Sequence, residues 1–249
     1  MYVTTRGLVI RVSDYNDADA LLTLLTPEYG RLTVKVRGLR RKNSPLTAPC
    51  QLLAYGEYTL FSYKGMYTVN EANSIELFHG LRKDLTKLSL STYFAQVAEV
   101  VSQEDMPEAQ LLSLVLNCLF VLSNMLECEN KVKAVFELRC ACIAGYTPEL
   151  YGCAICANAH PDRFDVSAGM LECSTCRNFE SEGLRMPLTP GTLDAMRYIV
   201  SCDPKKLFRF DASAETLERL AQITETYLTI QLERSFSTLD FYKSLLLPC

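Results

Sequence analysis

The sequence predicts an α+β protein with a five-stranded N-terminal barrel, an all-α helical domain, and a four-cysteine zinc module inserted into the helical part. Three observations predict this fold class. Short strand-like runs separated by turns fill residues 1–80, and apolar residues recur at helical spacing in 81–149 and 184–249. A polar stretch, 150–183, has no regular pattern but contains two C-x2-C pairs. The 249 residues are 49% hydrophobic, so a sizeable core is possible in one large or two to three small domains.

Five strands are expected in the first eighty residues. Each is a β-branched, apolar or alternating run bounded by turn residues: Gly7–Val12, Ala20–Thr26, Arg31–Arg37, Gln51–Tyr63 and Met66–Ile75. The last two are expected to form a hairpin around Lys64-Gly65. Five short strands suit a small closed barrel such as the OB-fold, and an SH3-like barrel fits the pattern nearly as well.

The hydrophobic period becomes helical after residue 80. Six helices are expected: Leu81–Val101, Ala109–Leu126, Val132–Ala144, Thr192–Ser201, Ser213–Phe236 and Leu239–Leu246. The second is apolar on most of its faces, which predicts a place at the centre of the helical core. The segment 150–183 between the third and fourth helices is expected to be irregular.

The strongest chemical signal lies in that segment. Cys153, Cys156, Cys173 and Cys176 form two C-x2-C pairs separated by sixteen residues, a spacing typical of two metal-binding knuckles around one tetrahedral zinc ion. An iron–sulfur cluster and thiol redox chemistry are the competing uses of these thiolates. Four protein ligands would leave no position for water or substrate, so the expected zinc is structural.

The second signal is a run of positive charge in a chain whose net charge is −4. Six cations lie in residues 31–42 with no acid between Glu28 and Glu57: Arg31, Lys35, Arg37, Arg40, Arg41 and Lys42. Such a track on a strand and the following loop suits a phosphate backbone, although a solvated strand face with a flexible loop is the alternative. Five tyrosines are near enough in sequence to stack on bases: Tyr2, Tyr15, Tyr29, Tyr55 and Tyr58.

Catalytic and membrane signatures are missing from the sequence. It has no phosphate-binding G-K-[ST] loop and no G-x-G-x-x-G, and its two histidines have no nucleophile at motif spacing. A non-enzymatic protein is therefore expected. No apolar stretch is long enough to span a bilayer and the N-terminus lacks an apolar signal block, which predicts a cytoplasmic protein.

Three segments together resemble the bacterial recombination mediator family RecO. They are GLVIRVSDYNDADALLTLLTPEYGRLTVKVRGLRRKNS near the N-terminus, FELRCACIAGYTPELYGCAIC in the middle and YLTIQLERSFSTLDFYKSLL near the C-terminus. The resemblance covers nearly the whole chain in the same order.

The resemblance implies an OB-fold that binds DNA (1–80), a helical domain (81–149 and 184–249) and a zinc module (150–183). It implies that the protein binds single- and double-stranded DNA, anneals complementary strands and, with RecR, helps to load RecA onto strands covered by the single-strand binding protein. It places the family's basic track on the six cations above. It also implies contact with the acidic tail of the single-strand binding protein and association with the nucleoid. The chain alone is expected to be a monomer. A zinc-stapled protein-interaction adaptor and a thiol-redox protein are the alternatives.

Overall fold

The computed structural model describes residues 1–124, 127–176 and 183–246, and its first element is a closed five-stranded barrel. The strands are β1 (Tyr2–Tyr15), β2 (Asp19–Thr26), β3 (Gly30–Val36), β4 (Tyr55–Tyr63) and β5 (Met66–Glu76). They follow one another around the barrel in the order β1-β2-β3-β5-β4, and β4 pairs with β1 to close it. The pairing of β3 with β5 is parallel, and every other pairing is antiparallel.

The alternation of the strands fills the barrel with apolar side chains. On β3, Leu32, Val34 and Val36 point inward and are buried, whereas the intervening residues are half-buried or exposed. Inward residues of the other strands and of the segment before β4 complete the same core: Val9, Leu22, Leu24, Cys50, Ala54, Tyr58, Leu60 and Val69.

The segment 51–54 was expected to be strand and is instead a turn that packs against β1. The backbone N–H of Leu53, which has a φ of +65°, donates to the carbonyl of Val9, and the N–H of Val9 donates to the carbonyl of Ala54. β1 has an irregular register here, between Val9 and Arg11. The prediction of a strand from Gln51 was therefore wrong, because the apolar residues of this segment are buried through loop contacts rather than by pairing.

Three helices belong to the same compact unit as the barrel, which comprises Met1–Met125 and Phe236–Cys249. They are α1 (Leu85–Val101), α2 (Ala109–Asn124) and α6 (Ser237–Leu246). The Asp84 carboxylate caps α1 by accepting from the N–H groups of Thr86 and Lys87. The ring of Phe236, just before α6, packs edge-on against Tyr93 of α1 with their centroids 5.6 Å apart. Leu126, the expected end of the second helix, lies outside the described residues.

The second compact unit, Leu126–Ser235, contains three helices and a small sheet. The helices are α3 (Glu129–Ile143), α4 (Pro190–Ser201) and α5 (Ala214–Gln231). The sheet has the order β6-β8-β7-β9, formed by β6 (Glu149–Cys153), β7 (Arg163–Asp165), β8 (Met170–Glu172) and β9 (Arg185–Pro187). The expectation of an irregular 150–183 segment was therefore wrong in detail.

The predicted fold class is confirmed, with a barrel followed by helices and a separate cysteine cluster. The domain boundaries near residues 80, 150 and 183 stay a prediction. Within the described ranges, no helix combines the length and the hydropathy that crossing a bilayer requires.

Candidate nucleic-acid interface and metal centre

The four predicted ligand cysteines converge in the second unit. The sulfur atoms of Cys153, Cys156, Cys173 and Cys176 all lie within 4.8 Å of one another, although sixteen residues lie between Cys156 and Cys173. Their burial differs: Cys153 and Cys173 are buried, Cys176 is half-buried and Cys156 is exposed. The site is therefore at the surface, with two ligands on its inner side.

Tight backbone turns bring each pair of thiols together. In the first knuckle the N–H of Cys153 donates to the carbonyl of Asn158, and the N–H of Ala157, a residue with a φ of +58°, donates to the carbonyl of Cys153. The second knuckle closes with a bond from the Cys176 N–H to the Cys173 carbonyl. The sheet fixes the two knuckles relative to each other, because Cys153 ends β6 and Cys173 follows β8, which pairs with it.

The arrangement of sulfur atoms fits one tetrahedral ion. A zinc ion with Zn–S bonds near 2.3 Å places its ligand sulfurs about 3.8 Å apart. The Cys156 and Cys173 sulfurs are 3.9 Å apart. Four thiolates are the donor set that soft, tetrahedral metals prefer, so these residues could hold a zinc ion with no open coordination position.

Polar groups favour a thiolate at Cys153, whereas the neighbouring cysteines raise the pKa of the Cys173 and Cys176 thiols. Although burial opposes it, backbone N–H donors from Cys156, Ile155 and Cys173 lower the pKa of the Cys153 thiol to about 6. The side-chain amide of Asn158 donates to the Cys173 sulfur at 3.3 Å. Such donors to the ligand atoms are typical of metal sites, where they orient the thiolates and disperse their charge.

A buried ion-pair network supports the sheet that carries the cysteines. The Arg185 guanidinium on β9 lies 2.6 Å from the Glu172 carboxylate on β8 and 3.6 Å from the Asp165 carboxylate on β7. All three side chains are almost entirely shielded from solvent. The network joins three strands of three residues each, which are too short to be held by their ladder hydrogen bonds alone.

Three of the six predicted DNA-binding cations have carboxylate partners on other elements. Lys35 on β3 pairs with Asp19 at 2.9 Å, Arg40 with Asp14 at 3.2 Å, and Arg31 with Glu104 at 3.7 Å. Arg31 also donates to the backbone carbonyl of Glu99 at the end of α1. These acids lie outside residues 31–42 in the sequence but next to the cations in space. The segment 31–42 is therefore less positive in the folded protein than its sequence indicates.

The other three cations, Arg37, Arg41 and Lys42, are exposed, and in the described part of the chain none pairs with a carboxylate. They lie on a fixed turn at the end of β3. The Asp19 carboxylate accepts from the N–H of Gly38, whose φ is +66°, and the Ala18 carbonyl accepts from the N–H of Arg40. This arrangement presents three unpaired charges beside one strand end.

The predicted tyrosines divide into two groups. Tyr58 is fully buried and donates to the Pro49 carbonyl, Tyr29 packs against the barrel core and Tyr55 is half-buried. Tyr2 and Tyr15 are exposed, and the Lys35 ammonium lies 4.7 Å from the centre of the Tyr15 ring. The structure therefore leaves two of the five available to a ligand.

The sequence analysis did not identify two further exposed rings, those of Phe61 and Tyr63. Phe61 contacts Tyr2 with ring centroids 5.3 Å apart, and Tyr63 lies two residues further along β4. Phe61 and Tyr2 are neighbours because β1 pairs with β4 in a register that sets Tyr2 opposite Phe61. The alternation of β4, in which Tyr58 and Leu60 point inward, was the one signal that could have placed Phe61 outside.

Comparison with known proteins gives matches to one family over nearly the whole chain. Residues 1–78 match the family described as Recombination protein O N terminal, and residues 82–240 match that described as Recombination protein O C terminal. The chain belongs to the RecO family. A protein of Acetivibrio thermocellus named DNA repair protein RecO is 33% identical over 98% of this chain and 97% of its own length. RecO proteins of Alkaliphilus metalliredigens and Bacillus subtilis are each 27% identical, covering 98% and 91% of this chain and 100% and 88% of their own lengths.

Proposed function

We propose that this RecO-family protein is a DNA-binding recombination mediator in DNA repair that performs no covalent chemistry. It binds single- and double-stranded DNA without sequence preference and anneals complementary strands. With RecR it helps to load RecA onto DNA covered by the single-strand binding protein, whose acidic tail it contacts. Family membership over nearly the whole chain supports this role.

The observation that carries the proposal is the cationic turn formed by Arg37, Arg41 and Lys42. Phosphates are held by exposed cations that have no other counter-ion, and these three side chains meet that condition. Lys35 and Arg40 lie beside them and can exchange their carboxylate partners for phosphates. Annealing needs nothing further from the protein, since neutralised phosphates lower the repulsion between strands and base pairing supplies specificity.

The test is the salt dependence of DNA binding by the full chain. Replacing Arg37, Arg41 and Lys42 together with Ala should weaken binding to a single-stranded oligonucleotide. It should also reduce the slope of log affinity against log salt by about 2, since each phosphate neutralised contributes about 0.7. Fluorescence anisotropy at several salt concentrations measures both quantities.

A charge-matched control separates this surface from net charge. Lys205, Lys206 and Arg209 are three exposed cations of the second unit, and their replacement by Ala changes the total charge equally. We expect that variant to keep the slope of the parent protein. Equal slopes for the parent and the Arg37, Arg41 and Lys42 variant would contradict the assignment of these residues.

The metal centre has a supporting role in this proposal. The four cysteines bind one zinc ion that holds the knuckles together, and the ion takes no part in DNA binding. The thiol-redox alternative predicts a disulfide that forms and breaks during turnover. Metal analysis of protein purified under reducing conditions distinguishes the two, since one retained zinc per chain without disulfide exchange excludes the redox function.

A further inference from the structure

An exposed group of aromatic side chains lies on the outer face of the barrel. The group, termed here the ring cluster, comprises Tyr2, Phe61 and Tyr63, whose exposed fractions are 60%, 39% and 62%. Large apolar side chains that cluster at a protein surface indicate a binding site, whereas isolated exposed apolar side chains are common on any protein. Met66, opposite Tyr63 in the β4–β5 hairpin, extends the exposed apolar area.

The register of the barrel links the ring cluster to the cationic residues. In one row across the strands, Tyr2 is opposite Phe61, Phe61 is opposite Thr68 on β5, and Thr68 is opposite Lys35 on β3. Two strand spacings, about 10 Å, therefore separate the Phe61 position from the Lys35 position. Only the small side chain of Thr68 lies between them in this row.

Charge near the ring cluster is positive. The sequence between Leu60 and Asn70 contains Lys64 and no acid, and the Lys64 ammonium lies 5.3 Å from the centre of the Tyr63 ring. The acids of β4 and β5 lie further along the ladder, where Thr59 is opposite Glu71. Rings beside cations are the combination that binds single-stranded nucleic acid, through base stacking and phosphate contacts together.

We propose that the ring cluster stacks unpaired bases, so that this surface binds single-stranded in preference to double-stranded DNA. The strand crosses β5, with bases against Phe61, Tyr63 and Tyr2 and phosphates toward Lys35, Arg37 and Lys64. A duplex cannot make the same contacts, because its bases are stacked on one another and its backbone faces outward. This inference rests on the proposed function, to which it adds the selection of the ligand.

The first experiment removes two rings from the full chain. We expect Phe61→Ala combined with Tyr63→Ala to weaken binding to an oligothymidine about tenfold or more, and binding to a duplex of equal length less than twofold. Ile75→Ala is the matched control, because it removes an exposed apolar side chain from β5 away from the cluster and should change neither affinity. An oligonucleotide with abasic sites keeps the phosphates, and the parent protein should bind it as weakly as the double variant binds oligothymidine.

A second measurement does not depend on the stability of the alanine variant. The chain has no tryptophan, so Phe61→Trp places a single tryptophan, whose emission is distinguishable from that of the tyrosines, in the ring cluster. Oligothymidine should quench its emission, the abasic oligonucleotide should not, and Ile75→Trp should respond to neither. Unchanged emission, or equal weakening of single-strand and duplex binding by the double alanine variant, would overturn the proposal.

The outcomes also separate this inference from the proposed function. If the Arg37, Arg41 and Lys42 variant loses affinity while the ring variant binds both DNA forms like the parent, the proposed function stands and the ring cluster is not a base platform. An unaltered DNA affinity together with lost capture of RecR by the ring variant would assign the cluster to a protein partner. If neither set of substitutions alters DNA affinity, both proposals fail.

Discussion

At the scale of single residues, Gly30 illustrates how closely the barrel approaches the chain that follows α1. Its φ is +62°, and a Cβ atom here would lie 2.3 Å from the carbonyl oxygens of Gln103 and Met106. Rotating a side chain cannot relieve a clash with backbone. We therefore expect Gly30→Ala to lower the free energy of unfolding by at least about 2 kcal/mol.

Gly65→Ala isolates the conformational part of that cost. Gly65 has a φ of +76° but no atom within 4 Å of the added Cβ, so only the left-handed backbone, about 1 kcal/mol, opposes the substitution. Urea denaturation of both variants measures the difference. Equal losses of unfolding free energy in the two variants would show that the backbone at residues 103 and 106 can move away from a Cβ atom at position 30.

The ionisation of the Asp19 carboxyl group is expected to make the stability of the protein depend on pH. The backbone N–H of Gly38 and the Lys35 ammonium hold its pKa below the ordinary value of 3.8. A pKa lower in the folded state than in the unfolded state gives stability that is complete above about pH 5 and is lost as the pH falls through 3.8 and below. The difference in thermal stability between the parent and Asp19→Asn should therefore shrink from pH 6 to pH 3, and a constant difference would contradict it.

The residue scale is also where sequence reasoning was least complete. The sequence showed the six cations as one run of charge, but not the acids that pair with Lys35 and Arg40, which lie at the end of β1 and the start of β2. The ring pair of Tyr2 and Phe61 joins residues almost sixty positions apart. Both features depend on strand register, which hydrophobic alternation alone does not fix between distant strands.

At the scale of elements, the cysteine knuckles and the small sheet form one unit of stability. We expect one zinc per chain, lost in Cys156→Ser and retained in Cys128→Ala, whose cysteine is exposed outside the cluster. Chelation should increase hydrogen exchange in β6, β7 and β8 and leave exchange in the barrel strands unchanged. Barrel exchange that rises in parallel would contradict a local structural role.

The pairing of α3 with α5 depends on a buried charge. The Lys133 ammonium lies 2.9 Å from the Glu137 carboxylate on α3 and 2.8 Å from the Glu225 carboxylate on α5, and Thr224 also donates to Glu137. Lys133→Met leaves the wholly buried Glu137 without its cation, which should cost about 3–5 kcal/mol of unfolding free energy. Lys133→Met with Glu137→Leu should recover most of that loss in chemical denaturation, whereas additive losses would contradict it.

The prediction of helices and strands succeeded where the hydrophobic pattern extended over many residues and failed where an element had only a few residues. The alternation in β3 and the apolar face of α2 extend over enough residues to identify them. Strands of three residues, such as β7, β8 and β9, show no period, and the arginine that joins them is recognisable only from its buried contacts. The four-cysteine cluster was predictable because the spacing of the cysteines, rather than their secondary structure, carries the signal.

At the scale of the whole molecule, the chain passes through the second unit and returns to the first. Phe236, Leu239 and Tyr242 of the returning segment are buried, each almost completely. Deleting residues 236–249 should therefore remove more than about 5 kcal/mol of apolar burial from the first unit. Thermal unfolding should show the loss, and hydrogen exchange should rise in α1, on which the segment packs, but not in α3 and α5. Undiminished protection of α1 would contradict the prediction.

This return of the chain sets an order of events during translation. The ribosome releases residues 126–235 before it releases α6, so the second unit can finish folding while α1 still lacks the helix that packs against it. Nascent chains arrested before residue 236 would carry a folded second unit and an incomplete first unit. Completion of the first unit thus waits for the synthesis of α6.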